Sequence, residues 1–484
     1  MSRMPPRRRA GRTDAAPPTP ATLVDKIWAS HLAASPSADD EPALHHLSVD
    51  RILLHEHQVG LVGRAHQGAW RVSEPDRIIA CSDQQFPTIP SDGGPRQGAQ
   101  LMSAVERLER TSDAVGLPLF GPGDHRGGIV NVVAAEQGMV LPGSLVVGAD
   151  AHVSTLGGLG GLALVISDAE VAEVVETGTV RRPWPGVVRV SVPGSLTSDA
   201  TGKDLALWLL GRVGSGAVAG RFLELVGPVV RRLSVEARMT LCNLAVEAGA
   251  AAVVIAPDRM TEQYLVGRPF APIGAAWDRA VTEWESLGTD PGADFDADLG
   301  LLAEEVRPHT TWGTHIDQVA PLDGAVPMPR GGEPAERDRR ALIDQDLQPG
   351  TPIDQIEIDQ VFIGSCANAR VEDIRAAAAV ARGGRAQVSA WVVPGSWPVK
   401  RQAEAEGLHR IFLDAGFEWR DPGCSLCIGT NGDSVAPGAR LASTANRPVR
   451  GLVGPGARVH VMSPASAAAS ALIGRLSPPS AVAD

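Results

Sequence analysis

Short apolar runs that stop at Gly, Pro or a polar residue recur along the chain. They fall at 78–80 before Cys81-Ser82-Asp83, 145–147 before Asp150, 253–256 before Asp258, 361–363 before Ser365-Cys366, and 391–393 before Pro394-Gly395-Ser396. Runs this short and this uniformly apolar predict strands of parallel sheets buried on both faces, whose carboxyl ends are where ligands collect. Between them, helical spacing predicts helices over 99–111, 234–248, 371–381 and 399–415, the last two closed by Gly383-Gly384 and Gly416. Strands alternating with helices predict an α/β fold of several α/β/α layers.

The polar stretches divide this pattern. Residues 1–21 mix Arg, Pro, Ala and Thr with almost nothing apolar and predict a disordered tail. Pro-rich sequence ahead of a strand signal near Trp184 marks a boundary, giving a first domain over 22–185 and a second over 186–321. Pro, Gly, Asp and Arg dominate 322–352, which predicts a linker to a third domain over 353–484.

A chain of 484 residues with 44% hydrophobic and 21% charged residues has material for several cores. Its 44 Lys plus Arg against 56 Asp plus Glu give a formal net charge of −12, which argues against nucleic acid as a partner. No apolar run reaches the roughly 18 residues of a membrane span, and the N-terminus lacks the apolar core of a secretory signal, so the expectation is a cytoplasmic protein with no membrane partner.

The cysteines are Cys81, Cys242, Cys366, Cys424 and Cys427. Cys424 and Cys427 form a C-x-x-C pair flanked by glycines, and Cys366 ends an apolar run, so these three are the candidate ligand set. Three thiolates suit an iron–sulfur cluster with one iron left free. Spacing alone leaves open a zinc site completed by His or Asp, a redox disulfide, or buried unliganded thiols. The segment 148–161 follows a strand, carries Asp150 and His152, and predicts a small-residue helix with an acid–base pair at its start. Asn446 and Arg447 offer a grip on a carboxylate.

Four longer stretches carry a resemblance: V-F-I-G-S-C-A-N-A-R-V-E-D-I-R-A-A-A (361–378), V-V-P-G-S-W-P-V-K-R-Q-A-E-A-E-G-L (392–408), A-G-F-E-W-R-D-P-G-C-S-L-C (415–427) and M-T-L-C-N-L-A-V-E-A-G-A (239–250). With the segments above, they resemble the aconitase superfamily, specifically the large subunit of 3-isopropylmalate dehydratases, over about 21–476. The resemblance implies three α/β/α domains around a [4Fe–4S] cluster held by Cys366, Cys424 and Cys427, with no swivel domain. It also implies a hydro-lyase that removes water from a hydroxy acid and re-adds it one carbon along. A separate small swivel-domain subunit would complete the site.

Carried over residue by residue, the resemblance marks Asp83, Asp150, His152 and Glu247 as catalytic, and Asn243, Asn446 and Arg447 as substrate-binding. It also marks departures. The family's Asp-His pair reads Asp83-Gln84, its G-I-V-H ends in Asn131, its D-S-H has Ala151 in the middle, and the second Arg of N-R-x-x-x-G-R is Leu452. An early substrate-holding glutamine aligns with Leu61. Gln and Asn donate hydrogen bonds but do not shuttle protons near neutral pH, so these changes imply either retuning toward another substituted malate or a cluster-bearing sensor or binding protein with little turnover.

Overall fold

The computed structural model describes residues 19–34, 44–67, 72–89, 99–332, 334–429 and 431–482. Nearly all of the predicted tail, including its arginines, therefore lies outside the described residues. The fold is α/β. Three parallel sheets flanked by helices follow one another along the chain.

The first sheet runs, in spatial order, Leu119–Phe120, Ile78–Cys81, Arg51–Leu54, Leu145–Gly148 and Leu162–Val165. The second runs Ala252–Val254, Phe222–Val226, Val187–Ser191 and Ala297–Gly300. The third runs Glu418–Trp419, Ser389–Val392, Gln360–Ile363, Arg440–Ser443 and Arg458–Val461. Their central strands are buried along their whole length, as in Ile78–Cys81, Leu145–Gly148 and Gln360–Ile363, so neither face is left for water.

One apolar core joins the second and third sheets, from Val188 and Leu223 to Phe362 and Leu441. A second lies on the first sheet, where Trp28 packs edge-on to Trp184. The stretch 322–352 is more than a tether. It contains helix Pro334–Gln345, whose Ala341 and Leu342 face the shared core, because apolar residues recur among its charges at helical spacing.

Two helix expectations change on inspection. Over 399–415 there are two helices, Trp397–Ala405 and Leu408–Asp414, because Gly407 between them takes a left-handed conformation at φ 74°. The small-residue helix of 148–161 is a 3₁₀ run, Ala151–Leu159, pressed against neighbouring backbone. A Cβ on Gly157 would meet the carbonyl oxygen of Val253, and one on Gly158 would lie 2.5 Å from the amide nitrogen of Met239. Those glycines serve close packing. Among the described residues, no helix is long and apolar enough to cross a membrane.

Candidate active site

The carboxyl ends of parallel strands from two sheets point their polar residues at one place. Asp83 follows Ile78–Cys81, Asp150 follows Leu145–Gly148, Cys366 follows Gln360–Ile363, and Asn446 follows Arg440–Ser443. Helix Val235–Ala245 and its 3₁₀ continuation Val246–Ala248 bring Asn243 and Glu247. The turn Ser425–Cys427 brings the C-x-x-C pair.

All three candidate ligand thiols are buried and free of disulfides. Asn243 Nδ2 lies 3.4 Å and Asn446 Nδ2 3.3 Å from Cys366 Sγ, and the two amides bond each other at 3.0 Å. Cys427 Sγ reaches Asn446 Oδ1 at 3.6 Å, and Cys424 Sγ reaches Asp83 Oδ2 at 3.8 Å. A hydrogen bond from Cys427 and the nearby charge of His152 hold Cys366 far below the usual thiol range, while burial pushes Cys424 up. Ser365 and Ser425, each beside a ligand cysteine, both have positive φ, 84° and 47°. Strain of roughly 1–3 kcal/mol per such residue persists where the surroundings enforce it, and binding sites are where it concentrates. Amide donors around Cys366, a soft three-sulfur donor set and backbone bent to present it fit an iron–sulfur cluster with one iron unanchored by protein.

Opposite the thiols runs a line of charge. His152 Nδ1 contacts Asp150 Oδ1 and its Nε2 contacts Glu247 Oε1, each at 2.7 Å. Arg447 Nε donates to the same Glu247 oxygen at 2.9 Å. Burial disfavours charge on His152, but the Cys366 thiolate and the two carboxylates outweigh it and raise its pKa well above the ordinary value. Glu247 and Asp150 are correspondingly lowered despite burial. His152 is thus held between two carboxylates that favour its protonated form, an arrangement suited to donating a proton. Arg447 is partly exposed and keeps N–H groups for a ligand carboxylate.

The candidate residues thus fall in two contact groups: Cys424 with Asp83, and Cys366, Cys427, Asn243 and Asn446 joined through His152 to Asp150, Glu247 and Arg447. Gln84 Nε2 lies 3.4 Å from Asp150 Oδ2. Asn131 is buried in helix Val130–Glu136, and Leu452 packs against the shared core.

Sequence reasoning passed over four members of this region. His55 and Glu56 follow strand Arg51–Leu54, and the same run-then-polar signal that marks Asp83 was available for them. Lys203, buried in helix Gly202–Val213, donates to the carbonyls of Thr444 and Ala445 at 2.9 and 2.8 Å and so fixes the backbone just before Asn446. Asp433 gathers Thr88, Ser425 and Arg420 behind the C-x-x-C turn. A lone Lys or Asp carries no motif, so no signal pointed to either.

Fold and site together define an α/β protein with a buried three-thiol centre facing an Asp-His-Glu-Arg line. Residues 25–474 match the model of the Aconitase family (aconitate hydratase), and the chain belongs to that family, whose members are hydro-lyases that typically carry a [4Fe–4S] cluster. Among solved structures it is similar to the holo-form of aconitase X from Thermococcus kodakaraensis. The identity is 12%, the match covers 83% of this chain and 84% of that one, and the TM-score is 0.44.

Proposed function

We propose that this chain is the cluster-bearing subunit of an iron–sulfur hydro-lyase that dehydrates and rehydrates a hydroxy acid, in the manner of the 3-isopropylmalate dehydratases. The observation that carries the reading is that His152, paired with Asp150 and with Glu247 and through Glu247 with Arg447, also bonds the thiol of Cys366, which in turn bonds Cys427. The three cysteines would hold the cluster, which when bound supplies a Lewis-acidic iron able to polarise a C–O bond.

The remaining work falls to side chains. Arg447 pairs with a substrate carboxylate while Glu247 fixes its orientation. His152 holds a proton beside that carboxylate, and Asp150 and Glu247 prevent its loss to solvent. Asn243 and Asn446 keep Cys366 in place through their amides.

Where the family pattern has a second Arg, this chain has Leu452, which packs against the shared core and offers no guanidinium. This supports a substrate that differs from 3-isopropylmalate near one carboxylate, another substituted malate. A small swivel-domain partner completes the site in this reading. The test is iron and sulfide content with Mössbauer spectra of anaerobically prepared protein, followed by dehydration assays on isopropylmalate and a panel of substituted malates, with and without the partner. One zinc per chain and no sulfide would overturn it.

A further inference from the structure

Beside Asp83, at the neighbouring strand end, lies a buried histidine. His55 Nδ1 contacts Asp83 Oδ1 at 2.7 Å, and both side chains are buried. The other Asp83 oxygen accepts from the Val130 amide at 3.0 Å and from the Cys424 thiol at 3.8 Å. Asp83 is thereby fixed between a candidate cluster ligand and an imidazole. Gln58 Oε1 accepts from the His55 amide at 3.1 Å and anchors its backbone. The free ring nitrogen, Nε2, lies 3.4 Å from Gln84 Nε2, and that amide also reaches Asp150. The imidazole thus opens toward the gap between Gln84 and Asp150, on the side of His152.

We propose that His55, oriented by Asp83, is a catalytic acid–base residue of this site and supplies the proton-transfer capacity that Gln84 lacks. The proposal rests on the hydro-lyase reading above. In the dehydration direction His55 Nε2–H gives its proton to the departing hydroxyl. The C–O bond breaks with its electron pair on oxygen, water leaves, and the imidazole is left neutral with Nδ1–H still bonded to Asp83. A base on the partner subunit takes the proton of the adjacent carbon, whose C–H electron pair becomes the double bond. Rehydration reverses each transfer.

The charges around the ring support this assignment. Facing His55 are Asp83 from the neighbouring strand end, Asp150 from the end of the strand on the other side, and Glu56 from the following helix. Burial pulls its pKa down, and these acids push it up further, to about 9. Burial and the charge of Asp83 push Glu56 up to about 7, and its Oε2 has no hydrogen-bond partner. The Gln84 amide nitrogen in turn suits a neutral Nε2 acting as acceptor. Opposing demands of this kind let one ring hold and release a proton.

The cluster-loaded protein with its partner should lose about 100-fold or more in kcat on His55→Gln. KM should stay within about threefold and iron content should be unchanged. The wild-type fall in kcat/KM above about pH 9 should disappear in the variant. Asp83→Asn is the second variant. By ¹⁵N spectra of histidine-labelled protein, it should return the His55 titration, identified by its absence in His55→Gln, toward the ordinary range near 6.5. Wild-type turnover in His55→Gln would overturn the proposal, as would a His55 ring that titrates near 6.5 before Asp83 is changed. His55, Glu56 and Asp83 also place ligand atoms within 4.8 Å of one another. A divalent ion found there, lost in His55→Gln, would overturn it too. If wild type turns over no hydroxy acid, the hydro-lyase reading fails, and the titration still decides whether the dyad exists.

Discussion

The carboxylate of Asp433 accepts the hydroxyl of Ser425 at 2.7 Å, and on the same oxygen the hydroxyl of Thr88 at 2.6 Å. Ser425 is the left-handed residue between the two C-x-x-C thiols, so Asp433 holds the strained turn that presents them. Arg420 Nη1 lies 3.3 Å from its other oxygen. Removing one partner of a buried pair costs about 3–5 kcal/mol. Asp433→Ala is therefore expected to lower the melting temperature and the iron bound per chain together. Full iron content in a stable variant would show that the turn holds itself.

Lys203 acts on the opposite wall. Burial drives its pKa down to about 7, against the attraction of Asp373, Cys366 and other acids, and its ammonium serves the carbonyls of Thr444 and Ala445. Lys203→Met takes the side-chain donor from the Ala445 carbonyl, at about 1–3 kcal/mol, leaves the Thr444 carbonyl with the Ser365 hydroxyl at 3.3 Å, and frees Asn446 to leave Cys366. The expected result is a destabilised protein whose remaining cluster shows an altered reduction potential by voltammetry. An unchanged potential would confine Lys203 to stability.

Glu372 gives a pH signature away from the site. Burial, then the charges of Asp373 and Glu236, push its pKa up to about 8, although Ser234 donates to it. The folded-state pKa lies above the unfolded one near 4.5, so the folded chain keeps a proton that the unfolded chain has lost. Stability from this group is present below about pH 4.5 and falls as pH rises to about 8. Glu372→Gln removes that loss. Its unfolding free energy from urea titration should match wild type near pH 4.5 and exceed it at pH 8 by on the order of 2 kcal/mol. A constant difference across that window would refute the assignment.

Leu452 packs against the core at the foot of the loop that presents Arg447. If it selects an apolar group on the substrate, Leu452→Arg should raise kcat/KM for isopropylmalate about tenfold to a hundredfold, the worth of one charge-assisted contact. It should lower kcat/KM for the natural substrate. Competition between the two substrates measures this directly. Efficient wild-type turnover of isopropylmalate would mean that the missing guanidinium is replaced elsewhere.

The parallel strands were legible because burial on both faces writes them as unbroken apolar runs; three of the five runs lead to site residues, Asp83, Asp150 and Cys366, whereas Asp258 pairs with Arg238 and Ser396 bonds Glu136, each capping a helix. The break at Gly407 was hidden because apolar spacing continues through it, while one left-handed glycine redirects the chain. The 3₁₀ form of Ala151–Leu159 was hidden because it comes from crowding by Met239 and Val253, residues distant in sequence. His55 had a readable signal. Lys203 and Asp433 gain their meaning only from backbone and hydroxyls that tertiary folding brings to them.

The Thr88–Asp433 contact spans 345 residues. At about 5–20 residues synthesised per second, Thr88 emerges from the ribosome roughly 17–70 s before its partner exists. For most of that interval the His55–Asp83 wall has been made while the C-x-x-C pair has not. Cys424 follows its contact Asp83 by 341 residues, so a metal centre that needs all three thiols has no complete site until the chain of the third sheet has been made.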